Sequence, residues 1–313
     1  MVELEDGIRQ VTFALPLGID HVHCYLLRGP GGDWTLVDTG LGLPDAGEQW
    51  ARTLAALDAP VGRIVITHFH PDHVGAAAAV AELTGAKVHQ GADDYDQCVR
   101  TWGEARIEER MPAYLREHGT PEAEVESFRE EAAAFGNLVR FVRDPVRLAP
   151  GDEIVGWEVL HLPGHADGHL ALLRDGVLVA GDTLLGTITP NVGLYPDSRP
   201  DPLGDYLASL ERIAAFAPRL ALPGHGEVIH DPARRARELV EHHRQRLEHA
   251  VAALDGAPRS AYDVSLTLFP EPLSPTLRRF ALAETRAHLE YLVLRDGARR
   301  VDDDGRVSYL ASR

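Results

Sequence analysis

Residues 67–73 read Thr67-His68-Phe69-His70-Pro71-Asp72-His73, directly after the apolar run Ile64-Val65-Ile66. A short, fully apolar run of this kind reads as a buried strand. Three histidines and an aspartate are therefore delivered at a strand's end. Side chains two apart on an extended segment share a face, so His68 and His70 can address one metal ion together. Pro71 then turns the chain, and Asp72 and His73 can address a neighbouring ion. Imidazole and carboxylate ligands suit Zn²⁺ and, less selectively, iron or manganese.

Three isolated candidates follow at turn positions after further strands. His165 stands in Leu162-Pro163-Gly164-His165, Asp182 in Ala180-Gly181-Asp182-Thr183, and His225 in Pro223-Gly224-His225-Gly226. A glycine directly precedes each, leaving room for loops to crowd around an ion. A lone loop histidine is ordinarily a surface or satisfied core residue, and a lone Gly-Asp-Thr is a turn. All pieces falling at strand ends together favours metal binding. Seven candidate ligands, His68, His70, Asp72, His73, His165, Asp182 and His225, suffice for two ions. Three nitrogens would hold one ion, a mixed set the other, and one carboxylate would bridge.

Around these motifs, Ile8–Phe13, Val22–Leu27, Trp34–Val37 and Lys87–His89 read as strands, and Pro44–Leu57 and Val74–Leu83 as helices. Residues 92–135 hold 12 acidic and 5 basic residues in helical pattern. So long an insertion reads as a lid or substrate wall, or as a solvated helical hairpin. Strands return at Ile154–Leu160, Leu170–Leu173, Val177–Ala180 and Leu220–Leu222, with a helix at Leu203–Phe216. A second unit is expected over 232–313, after a first over 1–231. It holds helices near 232–254, 261–268 and 275–295, then a hairpin turning at Asp303-Asp304-Gly305.

The HxHxDH segment, the Gly-His, Gly-Asp and Gly-His-Gly elements and the early Leu36-Val37-Asp38-Thr39-Gly40 resemble the metallo-β-lactamase-fold hydrolases over about residues 8–230. The resemblance implies an α/β, αββα sandwich with the metals at one edge. It implies His68, His70 and His165 at one site and Asp72, His73 and His225 at the other, bridged by Asp182, with Asp38 supporting them from behind. The C-terminal piece, with His288-Leu289-Glu290-Tyr291-Leu292 late in its last helix, resembles a subgroup carrying a small winged-helix α+β domain. Some members of that subgroup are endoribonucleases, and related fungal enzymes are thioesterases on acyl carrier protein. Many members have Asn where this chain has His23. His21 and His23 lie in a loop expected near the metal edge. His23 and Tyr195 are candidate substrate contacts, and His161 and His169 flank the His165 loop. His288 reads as packing on a stripe with Leu277, Ala281 and Leu292.

Composition narrows the chemistry. The 313 residues carry a formal net charge of −17. Residues 232–313 hold 14 basic and 12 acidic side chains, and residues 1–231 hold 17 and 36, a net of −19. Such a charge disfavours general nucleic-acid coating. Lys87 is the only lysine, which excludes a P-loop lysine, and two cysteines give no disulfide framework. The start Met-Val-Glu-Leu-Glu-Asp is acidic, and no apolar run approaches the roughly 20 residues that span a bilayer. The chain reads as cytoplasmic, with no membrane partner. No Gly-x-Ser-x-Gly element supplies a nucleophile. The expected chemistry is therefore attack by a hydroxide bridging two metal ions, with Asp72 as catalytic orienter or proton acceptor. An acyl thioester is the expected substrate, since a thiolate departs without a strong acid. Trp102 and Tyr114 offer apolar walls. The alternative is a single-strand endoribonuclease or other phosphodiesterase using Arg278, Arg279, Arg299, Arg300 and Arg306 as a phosphate track and Tyr309 for stacking. A mono-iron persulfide dioxygenase is a third reading. The wing could also serve as a pocket lid or a homodimer contact.

Overall fold

A computed structural model describes every residue except 17–18, 104–106, 136–137, 255, 304 and 313, and the backbone alone of 107–109 and 132–135. The first seven strands lie in one sheet in chain order: β1 (Val2–Glu5), β2 (Ile8–Ala14), β3 (His21–Arg28), β4 (Trp34–Val37), β5 (Val61–Ile66), β6 (Lys87–Gly91) and β7 (Val146–Leu148). The first four pair antiparallel, and β4 to β7 pair parallel. Five more strands make a second sheet in the order β12-β11-β10-β9-β8. They are β8 (Glu153–Ile154), β9 (Trp157–His161), β10 (Leu170–Arg174), β11 (Val177–Gly181) and β12 (Leu220–Pro223).

Period-two alternation explains the layering. Tyr25, Leu27, Val37 and Val65 point inward and pack with Val159, Leu172, Val179 and Leu222 of the second sheet. Leu26, Leu36, Ile64 and Ile66 point outward, beneath Trp50 of α1 (Ala46–Ala55), Ala77 and Val80 of α3 (Ala77–Thr84) and Cys98 of α4 (Ala92–Trp102). Between α1 and α3 lies a single turn, α2 (Pro71–Val74). On the far side, Leu160, Ala171, Leu178 and Ala221 meet Leu203, Tyr206, Leu210 and Ile213 of α7 (Pro202–Phe216). The architecture is the expected αββα sandwich. Its motif-bearing turns sit at one edge.

Some local readings need correction. The strand expected over Ile154–Leu160 is two strands, because Val155 and Gly156 turn at φ 55° and 80°. The helix expected from Val74 begins at Ala77, since α2 interposes. The edge strands β1 and β7 lie outside the expected elements.

The 92–135 insertion is not a solvated hairpin. Met111, Tyr114 and Leu115 of α5 (Ile107–Glu117) and Val125 and Phe128 of α6 (Glu122–Phe135) share one core with the C-terminal elements. Those are α8 (Pro232–Ala253), α9 (Ala261–Leu268), α10 (Pro275–Val293) and the sheet β13-β15-β14. Its strands are β13 (Arg259–Ser260), β14 (Ala298–Asp303) and β15 (Arg306–Ala311), and Asp304 of the expected hairpin turn lies outside the described residues. Asp231, Ser260 and Ser274 each cap the following helix with a side-chain oxygen. A division at 231/232 coincides with the start of α8, yet α8 joins both cores. Ala236 and Leu239 pack on the sandwich, and Ala250 and Ala253 pack with the insertion. Along α10, Ala281 and His288 are buried as expected, but Leu277 is exposed. No described helix is long and apolar enough to cross a membrane.

Candidate metal centre

The histidine motif leaves β5 at Ile66. His70 is extended, at φ −62° and ψ 149°, and Pro71 opens α2 behind it. That single turn swings Asp72 and His73 round to the side of His68. Ligand atoms of His68, His70 and His165 lie within 4.8 Å of one another, as do those of His68, His73 and Asp182, and those of Asp72, His73 and His225. All seven expected residues therefore converge. Asp182 faces both halves: its Oδ2 lies 3.6 Å from His165 Nε2 and 3.2 Å from His225 Nε2, and its Oδ1 lies 3.5 Å from His73 Nε2. Asp72 Oδ2 stands 3.3 Å from His225 Nε2. The glycines are needed because the approach is close. A Cβ on Gly224 would lie 2.2 Å from Asp182 Oδ1, and one on Gly181 would lie 2.7 Å from His169 Nε2.

Electrostatics divides the cluster. Burial holds His68, His70 and His165 below their ordinary values, and neighbouring imidazoles depress the first two further. Burial alone would depress His73 and His225 as well, but surrounding carboxylates outweigh it. Asp182, Asp38 and Asp72 hold His73 well above its ordinary value, and Asp182 and Asp72 lift His225 to about 10. Against its own burial, Asp72 falls to about 2 beside His73 and His225. This half of the site calls for positive charge.

Buried and without hydrogen-bond partners are His73 Nε2, His165 Nε2, His225 Nε2 and Asp182 Oδ1. Leaving such atoms unpaired costs about 1–3 kcal/mol each, unless a cation takes the lone pairs. Divalent ions would displace the protons that His73 and His225 otherwise hold. The donor set, imidazoles on one side and imidazoles with carboxylates on the other, fits a dinuclear metal site.

Around the cluster, the rings of His73, His165 and His225 are aimed from behind. Asp38 stands behind His73: Oδ2 lies 2.8 Å from His73 Nδ1 and accepts from Thr67 Oγ1, while Oδ1 accepts from the Thr67 amide. His165 Nδ1 lies 2.8 Å from the Asn191 carbonyl, and His225 Nδ1 lies 2.6 Å from the His21 carbonyl. His169 accepts from the Asp182 amide at 3.1 Å and stacks on His68. Buried Asp94 accepts from the Phe69 amide at 2.9 Å, fixing the backbone between His68 and His70, and Trp102 Nε1 donates to the Phe69 carbonyl at 2.8 Å. Asn191, Asp94 and Thr67 were missed by sequence reasoning. Asp94 and Asn191 make these contacts through backbone groups, which leave no motif, and Thr67 meets Asp38 with both its amide and its hydroxyl.

Other expectations are corrected by geometry. His23 is buried, with Nε2 2.8 Å from the Gly226 carbonyl and Nδ1 3.0 Å from Thr12 Oγ1. It braces the His225 loop instead of facing a substrate, and His21 Nε2 joins it by accepting from the Gly226 amide. Tyr195 is half-buried and donates to Asn191 Oδ1 at 3.2 Å. His161 is tied to the Asp167 carbonyl, away from the cluster. Tyr114 is buried in the core it shares with α10, so it is no exposed wall. Two members of the expected arginine track are engaged within the protein: Arg278 is spent on the carbonyls of Ser265, Phe269 and Glu271, and Arg300 pairs with Glu290. Tyr309, fully buried, donates to Glu290 and cannot stack on a base.

Comparison with known proteins agrees with this architecture. The family described as the metallo-beta-lactamase superfamily matches residues 17–225, and the metallo-beta-lactamase-like C-terminal domain matches residues 247–312. The crystal structure of a metallo-beta-lactamase family protein from Thermus thermophilus is 38% identical, covers 99% of this chain and 100% of that one, and has a TM-score of 0.84. A probable metallo-hydrolase of Bacillus subtilis is 29% identical over 304 residues, 92% of each chain. The atrochrysone carboxyl ACP thioesterase of Aspergillus fumigatus is 23% identical over 245 residues, 75% of this chain and 60% of that protein.

Proposed function

The chain belongs to the metallo-beta-lactamase superfamily, and from that premise we propose that it is a dinuclear-metal hydrolase of small acyl thioesters. The observation that carries the hydrolase reading is the pair of His/Asp groups meeting at one buried carboxylate, Asp182. His68, His70 and His165 would hold one divalent ion, and Asp72, His73 and His225 the other, with zinc as the natural partner of this donor set. Bound there, the ions would supply Lewis-acid polarisation of the scissile carbonyl and a lowered pKa for the attacking water.

The chain supplies orientation. Asp72 is ionised at neutral pH, held at about 2, so its carboxylate would accept a hydrogen bond from the attacking water and orient it, while a group this acidic is a weak base for the water's proton. Asp38, Asn191 and the His21 carbonyl fix the distal ring nitrogens of His73, His165 and His225, so the opposite nitrogens stay aimed inward.

A thioester suits this site because the flanking acid–base side chains are committed. Tyr195, His23, His161 and His169 all hold protein groups. A leaving group that departs unprotonated is favoured, and a thiolate, with a thiol pKa near 8.5, does so far more readily than an alkoxide. The thioesterase name of the Aspergillus relative supports the same class. The test is a thioester panel assayed by thiol release with the metal-loaded protein. Turnover that collapses in Asp182→Asn is expected. A wild type holding two ions but inert on every acyl length would defeat the thioester reading.

A further inference from the structure

Asn191 touches both halves of the molecule. Its carbonyl oxygen is 2.8 Å from His165 Nδ1. Its amide nitrogen donates to Glu284 Oε2 at 3.1 Å and to the Phe280 carbonyl at 3.3 Å, both on α10, and its Oδ1 accepts from Tyr195. Two residues from Asn191 is Gly193, where a Cβ would press on the Tyr195 ring at 2.6 Å, and the Leu194 amide donates to the Ala283 carbonyl at 3.0 Å. The loop behind His165 is therefore clamped to the C-terminal helix at several points.

Glu284 is the unusual member of this clamp. It is 6% exposed and forms no ion pair with any described residue, and its Oε1 has no hydrogen-bond partner. Burying an unpaired carboxyl is costly, and an apolar side chain would pack α10 more cheaply. What the carboxyl does is accept the Asn191 amide. A carbonyl fixed at His165 Nδ1 holds the proton on that nitrogen and leaves Nε2 as the free donor, the state a metal ligand requires.

We propose that Glu284 is a positioning residue for the His68–His70–His165 site, acting through Asn191, so that the C-terminal region sets the affinity of that site for its metal ion. The inference rests on the dinuclear reading above. On it, a histidine ligand from the sandwich is tuned by a residue some 120 positions later in the chain.

The test uses the full-length, metal-stripped protein titrated with Zn²⁺ against a competing chelator. In wild type two binding steps are expected. Glu284→Leu and Asn191→Ala should each weaken one step by about 10–100-fold and leave the other in place. Glu284→Gln retains an acceptor and should stay within about threefold of wild type. The Glu284→Leu/Asn191→Ala double variant should be no worse than either single change, because both act along one path. With Co²⁺ in place of Zn²⁺, the visible bands of one ion should shift in both single variants. Wild-type affinity in Glu284→Leu would overturn the proposal. So would equal weakening of both steps with a lowered melting temperature of the metal-free protein, which marks a purely structural role. A wild type binding one ion would break the dinuclear reading instead. Glu284→Leu would then still have to weaken that ion, or the positioning role falls as well.

Discussion

Asp38 Oδ2 lies 2.8 Å from Nδ1 of His73, a residue 35 positions later, and the same carboxylate accepts both the amide and the hydroxyl of Thr67. One aspartate at the end of β4 thus sets both the exit of β5 and the aim of a ring on α2. Asp38 sits at φ 61°, in the left-handed region that Asp and Asn tolerate better than most residues.

That geometry makes Asp38→Asn a sharp probe. Asparagine keeps the backbone conformation and can still accept from the Thr67 amide. Its NH₂ would then face the His73 N–H, donor against donor, while the Thr67 hydroxyl can turn to accept. Metal affinity at the Asp72/His73/His225 group should fall about 10–100-fold with the fold retained, as read by chelator competition beside far-UV circular dichroism. Unchanged affinity would mean that His73 is aimed by packing alone.

Gly224→Ala should disable the centre by bulk. The added methyl would sit 2.2 Å from Asp182 Oδ1 and 2.7 Å from His73 Cε1. Neither atom can yield without leaving the cluster. Loss of at least one bound ion and of most turnover is expected, measured by metal analysis and thiol release. Gly85→Ala is the control for the change itself, because a Cβ there has open space, although φ 69° still strains it. It should keep both ions.

Removing metal should expose the cost of the cluster. Three imidazole nitrogens and a carboxylate oxygen are left facing one another without hydrogen-bond partners. Ion binding to the folded state alone stabilises it by RT ln(1 + [L]/Kd), about 4 kcal/mol at a thousandfold excess over Kd. Melting temperature should therefore climb with free Zn²⁺ and fall on chelation. A melting curve indifferent to metal would argue against a preformed site.

The ligands were legible because each is a scarce residue at a strand end beside a turn residue. The sandwich was legible because Tyr25/Leu27 against Leu26, and Val65 against Ile64/Ile66, alternate between two cores. The supports were not. Asp94 lies in an acidic helix start and works on the Phe69 amide, and Asn191 works through its own carbonyl. Neither contact depends on a sequence spacing. The insertion's charge count suggests solvation in one of its two readings, while Met111, Tyr114, Leu115, Val125 and Phe128 form a narrow buried stripe within it. Arg278 of the C-terminal region misled, since it is committed to carbonyls that only tertiary structure brings near.

A pair of buried histidines away from the metal centre should make folding acid-sensitive. His243 of α8 and His288 of α10 lie Nδ1 to Nε2 at 3.1 Å, both buried. Burial, then His288, presses His243 down to about 2, and burial is also what presses His288 down to about 4. Both are neutral in the folded state across the range where the unfolded chain takes up protons, near pH 6.5. Their stabilisation is thus complete above about pH 6.5 and drains away as pH falls towards 4. Glu284 works in the opposite sense. Burial raises it to about 7, so the folded state keeps a proton that the unfolded chain releases above about 4.3, and that contribution is lost as pH rises. From roughly pH 4.5 to 6.5 the histidines together outweigh the carboxyl by about one proton. Urea unfolding of the metal-free protein at pH 6.5 and 5.0 reads the effect directly. Replacing both histidines by glutamine should remove about two protons from the pH slope, roughly 2.7 kcal/mol per pH unit. The double variant should then lose less stability on acidification than wild type, whatever its stability at neutral pH. Parallel slopes in the two proteins would show that the pair takes up protons as readily folded as unfolded.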